Sequence, residues 1–106
     1  MPDLRVCSVD DVAPDSSKRF DPPGYRLVVV RIGDDAWYCL DDRCSHAEAS
    51  LASGDVWPED REIECPLHSS VFDLETGKAL TLPATAPQAT YAVRVDGDDV
   101  IVEVPR

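Results

Sequence analysis

The chain has 106 residues, 43% of them hydrophobic, enough for one compact domain with its own core and too few for two. Its 10 Lys and Arg stand against 21 Asp and Glu, a formal charge of -11 that repels nucleic-acid phosphates and an anionic membrane face and favours a soluble monomer whose partners present basic surfaces. Met1 to Val12 has no basic segment leading into an apolar run, and no stretch nears the ~20 apolar residues of a bilayer span, so a cytoplasmic location is expected.

In chain order, short runs of β-branched and aromatic residues recur between turn signals, and no window of ten or more carries a helical period, which predicts an all-β protein. Leu4 to Val9 reads as a first strand, and Asp10 to Gly24, rich in Asp, Ser and Pro, as a surface connection with little regular structure. Tyr25 to Ile32 is the clearest strand; Gly33-Asp34-Asp35 turns it into Ala36 to Leu40 as a hairpin. Between Asp41 and Pro87 the pattern is irregular, with Ile63-Glu64 and Val71-Phe72 as short strands and Leu74 to Gly77 as a turn, and function is expected on loops there. A second hairpin ends the chain: Tyr91, Val93 and Val95 alternate with polar residues, Asp96-Gly97 turns, and Val100 to Val104 returns.

The chemistry lies in the irregular middle. Cys44-Ser45-His46 and Cys65-Pro66-Leu67-His68 form C-x-H and C-x-x-H with 18 residues between them, and they hold both histidines and half of the four cysteines. That concentration points to metal ligation in a reducing compartment, because core histidines and buried thiols have no reason to pair in two short motifs. Two thiolates and two imidazoles are the donor set of a [2Fe–2S] centre in which histidines replace two cysteines on one iron; they also match a zinc set, though zinc fingers usually pair two sulfurs in one motif and two histidines in the other. An iron with two thiolates is stabilised as ferric, and one with two neutral imidazoles accepts an electron more readily; imidazoles at the surface would offer an electron exit and a group that titrates. Cys7 and Cys39 fall in predicted strands and read as buried apolar thiols, and Trp37 and Trp57 read as packing residues.

From Asp41 to Asp73, and more weakly over nearly the whole chain, the sequence resembles bacterial Rieske-type [2Fe–2S] ferredoxins. Asp42-Arg43-Cys44-Ser45-His46, Glu64-Cys65-Pro66-Leu67-His68 and Val71-Phe72-Asp73 carry the likeness, with Thr76-Gly77-Lys78 and Leu82-Pro83-Ala84 where that family has a turn and a cluster-covering proline loop. The resemblance implies one domain over 1–106, an antiparallel β-sandwich with a small cluster-binding subdomain formed by loops at about 41–54 and 64–73. It implies one [2Fe–2S] cluster per chain, Cys44 and Cys65 on one iron, His46 and His68 on the other. The respiratory members' bracing cysteines correspond to Ala49 and Leu67, so no such disulfide is expected, and their hydroxyl-donating tyrosine corresponds to Phe72. A missing donor predicts a potential toward the lower end of the roughly -150 to +300 mV Rieske span, which Ser70, at the place of a serine that bonds a bridging sulfide, would raise somewhat. Ser69 stands where glycine is usual, and Trp57 to Arg61 reads as an extra turn in a slightly long spacing.

By the same resemblance the protein carries one electron at a time from a flavin-dependent reductase to a terminal non-haem iron oxygenase of a multicomponent dioxygenase system, and is not itself an enzyme. No 2-His-1-carboxylate iron site is available, because both histidines are committed to the cluster. The alternatives are a ferredoxin-like subunit of iron–sulfur cluster assembly, a nitrite reductase small subunit and, from another class, a zinc-stabilised binding module. Asp41, Asp42, Glu48, Asp55, Glu59, Asp60, Glu62 and Glu64, against Arg43 and Arg61, place negative charge around the ligand loops, which would steer a basic partner in a salt-dependent way.

Overall fold

The computed structural model describes residues 3–44, 49–67, 69–82 and 86–104. Nine strands are formed among them: β1 (Asp3–Ser8), β2 (Ser16–Phe20), β3 (Leu27–Ile32), β4 (Ala36–Asp41), β5 (Asp55–Trp57), β6 (Glu62–Glu64), β7 (Val71–Asp73), β8 (Thr90–Asp96) and β9 (Asp99–Glu103). Among the described residues helix is limited to two 3₁₀ turns, Val9–Asp11 and Leu51–Ser53, and no helix is long and apolar enough to cross a membrane.

Six strands pair antiparallel in the order β1-β9-β8-β4-β3-β2, and β5-β6-β7 make a separate three-stranded sheet. The larger sheet curls, because Cys7 of β1 and Val100 and Val102 of β9 share one buried cluster with Leu27 and Val29 of β3 and Cys39 of β4. The other face of β3 and β4, with Val28, Val30, Ile32 and Leu40, packs against Ile63, Phe72 and Leu74 of the smaller unit. The continuous apolar run of β3 follows from this position. Side chains alternate across a strand, and a strand covered on both faces needs apolar residues at odd and even positions alike.

The expected hairpins form at Ala36 to Leu40 and around Gly97, with the pairings Ile32↔Ala36 and Asp96↔Asp99. Cys7 and Cys39 are buried in strands, as their contexts predict. Trp37 packs against the sandwich core, under the Arg31 guanidinium at 5.1 Å, whereas Trp57 is 46% exposed and packs into neither core.

Three expectations need correction. The span Asp10 to Gly24 contains β2, whose Ser-Ser-Lys-Arg-Phe sequence has no strand signal of its own; it exists because the exposed edge of β3 offers a ladder from Ser16↔Arg31 to Phe20↔Leu27, and its charges suit an edge. Tyr25 and Arg26 fall outside β3. Trp57 belongs to strand β5, and the extra turn is confined to Pro58 to Arg61, where Arg61 takes a φ of 55°.

Candidate metal centre

The first loop leaves the end of β4. Buried positions continue the strand's alternation beyond its last residue: Leu40, Asp42 and Cys44 are 0%, 0% and 3% exposed. Arg43 pairs with Ser50 and the Cys44 amide donates to the Ala49 carbonyl at 3.0 Å, so the chain closes on itself at once. The buried Asp42 carboxylate fastens this base: Oδ1 accepts from Ser50 Oγ and the Ala52 amide, both at 2.9 Å, and Oδ2 accepts from Arg26 Nε at 3.0 Å. A carboxylate without solvent is tolerated only when ionic and hydrogen-bond partners replace the lost water.

The second loop is the tip of the β6–β7 hairpin, beyond the pairing Glu64↔Val71. The Cys65 amide donates to the Ser70 carbonyl at 2.7 Å and the Ser69 amide to the Cys65 carbonyl at 3.0 Å. Ser69 adopts φ 59°, a left-handed conformation that explains why glycine is the easier residue at this point of such a loop. The two loops stand side by side. Gly54, at the exit of the first, lies so close to the second that a Cβ would run into the Glu64 carbonyl oxygen and crowd Pro66.

Cys44 and Cys65 thus open two neighbouring, tightly closed loops. Both thiols are free of disulfide bonds, and both belong to one buried cluster with Leu51, Ile63, Phe72 and Leu74. The other two expected ligands, His46 and His68, lie outside the described residues. Two soft thiol donors presented together, out of water and without a disulfide, fit an iron–sulfur or zinc centre and suit no hard cation.

The charge pattern differs from the expected one. Asp42 is an internal anchor, Asp41 accepts a hydrogen bond from the Tyr91 hydroxyl at 2.7 Å, and Glu64 accepts one from the Trp57 indole at 3.1 Å. Glu59 and Asp60 sit on the β5–β6 turn, separated from Cys65 by the whole of β6, so they flank the ligand loops at a distance. Among the described residues of the second loop, Pro66 and Leu67 face solvent, Leu67 at 55%. Sequence reasoning placed Asp42 in a surface field; counting the alternation of β4 two residues further would have turned it inward. Gly54 carried no sequence signal at all, because its role depends on segments that meet only in the fold.

A model of the Rieske [2Fe–2S] domain matches residues 3–92. The chain is 40% identical over 102 residues to the 3-phenylpropionate/cinnamic acid dioxygenase ferredoxin subunit of Escherichia coli, covering 96% of this chain and 93% of that protein. Among solved structures, the ferredoxin of carbazole 1,9a-dioxygenase from Nocardioides aromaticivorans superposes with a TM-score of 0.90 at 41% identity, covering 96% of this chain and 97% of that one. The ferredoxin in a complex of reduced oxygenase and oxidized ferredoxin of carbazole 1,9a-dioxygenase superposes with a TM-score of 0.85 at 36% identity, over 94% of this chain and 91% of that one. With this match spanning both ligand loops and most of the curled sheet, the chain belongs to the Rieske [2Fe–2S] domain family and is a ferredoxin, a one-electron carrier built around a [2Fe–2S] cluster.

Proposed function

We propose that Cys44, His46, Cys65 and His68 hold the cluster, the thiolates on one iron and the imidazoles on the other, and that the protein relays electrons from a flavin-dependent reductase to a terminal non-haem iron oxygenase of a ring-hydroxylating dioxygenase system. The observation that carries the ligand assignment is the placement of Cys44 and Cys65 as buried thiols without a disulfide at the mouths of two adjoining loops in one core cluster. The names of the dioxygenase ferredoxins it resembles support the partner assignment, and so does the oxygenase–ferredoxin complex solved for one of them. We read the chain 1–106 as one domain whose ligand loops span about 41–54 and 64–73, acting as a monomer in the cytoplasm, where free cysteines stay reduced.

A cluster with this donor set supplies one-electron transfer at a potential above that of all-cysteine ferredoxins. The chain's own part is to hold the donors and control their surroundings. The backbone closures at Ala49 and Ser70 fix the two cysteine loops, and Phe72, fully buried beneath the second loop, brings no hydroxyl, in keeping with a potential toward the lower end of the Rieske range. The exposed Leu67 supplies an apolar contact beside a proposed ligand position, suited to brief docking, while the net acidity of the chain favours a basic-rimmed partner.

The deciding experiment is visible absorption and low-temperature EPR of anaerobically purified protein before and after dithionite, with iron, sulfide and zinc quantified. Two irons, two sulfides and a rhombic reduced signal of low average g are expected; a colourless protein with one zinc overturns the reading. Reconstitution with a flavin reductase and a ring-hydroxylating oxygenase should give turnover that slows as ionic strength rises, and turnover without the ferredoxin would remove it from the relay.

A further inference from the structure

Beyond the pairing Leu40↔Thr90 the Asp41 amide still donates to the Ala89 carbonyl at 3.0 Å, and the chain then bends at Asp42 toward Cys44. There Gln88 adds a tie from its side chain: its Nε2 donates to the carbonyls of both Asp41 and Arg43, each at 2.8 Å. One side-chain amide group thus serves both carbonyls that flank Asp42. Gln88 is 4% exposed and is the one buried residue among those described between Lys78 and Tyr91.

Gln88 is also the far end of a strap. Leu80 donates its amide to the Val71 carbonyl and Thr81 Oγ1 accepts from the Val71 amide, at 2.8 and 2.9 Å, tying the strap's start to the strand that leaves the second loop. At its end the Gln88 amide donates to the Gly77 carbonyl at 2.7 Å, and Gly77, at φ 76°, lies so near that a Cβ would strike the Gln88 carbonyl oxygen. One segment therefore grips the base of each cysteine loop. Asp42 is held from two sides, its flanking carbonyls by Gln88 and its carboxylate by Ser50, Ala52 and Arg26.

We infer that Gln88 is a positioning residue for the Cys44 ligand, fixing the first loop against the second through its bond to Gly77 and Gly77's to Asp73 at the end of β7; this rests on the assignment of Cys44 and Cys65 as ligands. Removing its two donors takes a hydrogen bond from the carbonyls on both sides of Asp42, next to Cys44, and frees that loop to sample several positions. The test compares loaded wild-type protein with Gln88→Leu and Gln88→Met, which keep bulk without donors, and with Val100→Ala, which loosens the sandwich core far from the loops. Expected for both Gln88 variants are iron release to a chelator about tenfold faster, as befits one lost buried hydrogen-bonding group, and broadened lines in the reduced EPR spectrum, while Val100→Ala keeps the wild-type spectrum and release rate. Wild-type spectra and release in either folded Gln88 variant, or equal effects in Val100→Ala, overturn the proposal. A Cys44→Ala protein that still holds two irons overturns the ligand assignment and, with it, this inference, whatever Gln88 does.

Discussion

The two pairs of cysteines are equally buried and serve opposite ends. Cys7 and Cys39 are 2% and 1% exposed, Cys44 and Cys65 are 3% and 0%. The first pair lies within paired strands, in register with Val100 and with Val29 and Tyr91, where the ladder holds the backbone and the thiols serve as small apolar side chains. The second pair lies beyond the last ladder pairing of β4 and of β6, where one or two backbone hydrogen bonds, Cys44 to Ala49 and Cys65 to Ser69 and Ser70, replace the ladder. Burial alone therefore does not separate the structural thiols from those proposed as ligands; the backbone around them differs.

The widest break in that comparison is chemical. Cys65→Ala is expected to lose the [2Fe–2S] cluster entirely and Cys39→Ala to keep it, with iron and sulfide per chain as the measure. Next comes the base of the first loop. Asp42→Ala strands Arg26, Ser50 Oγ and the Ala52 amide without their acceptor and should cost about 3 kcal/mol of unfolding free energy, the scale for breaking a buried ion pair, read by denaturant titration.

The sandwich thiols should announce themselves through alkaline pH. Burial, with Asp11 adding, pushes the Cys7 thiol up from 9.0 to about 11; burial, with Asp41 and Cys7 adding, raises Cys39 further in the same direction. Burial and the hydrogen bond to Asp41 raise the Tyr91 phenol as well. In each case the folded state keeps a proton that the unfolded chain has released, so stability is full below the unfolded pKa and falls as pH rises from about 9 toward 11. Cys7→Ala should flatten that fall in a series of melts, and an unchanged slope would show that this thiol titrates alike in both states. The smallest effect belongs to the second loop: Ser69→Gly relieves a left-handed serine and should raise stability by about 1 kcal/mol, seen as a higher midpoint in denaturant.

Much of this was written in the chain itself. The run Leu27 to Val30, the alternation Tyr91, Val93, Val95 and the turns at Gly33 and Gly97 defined two hairpins locally, because strand period and turn chemistry act over a few residues. The spacing of Cys44, His46, Cys65 and His68 named a metal centre for the same reason, since a ligand set must be kept in short motifs to be presented at all. What only the tertiary structure decided is whatever depends on a distant partner. Strand β2 exists because β3 has a free edge, Asp42 turns from surface charge to anchor because Arg26 and Ser50 arrive beside it, and Gln88 becomes a tie because its side chain arrives beside the carbonyls of Asp41 and Arg43. Hydrogen bonds between residues 16 to 47 positions apart leave no local period to read; they are settled only when the curled sheet brings the segments together.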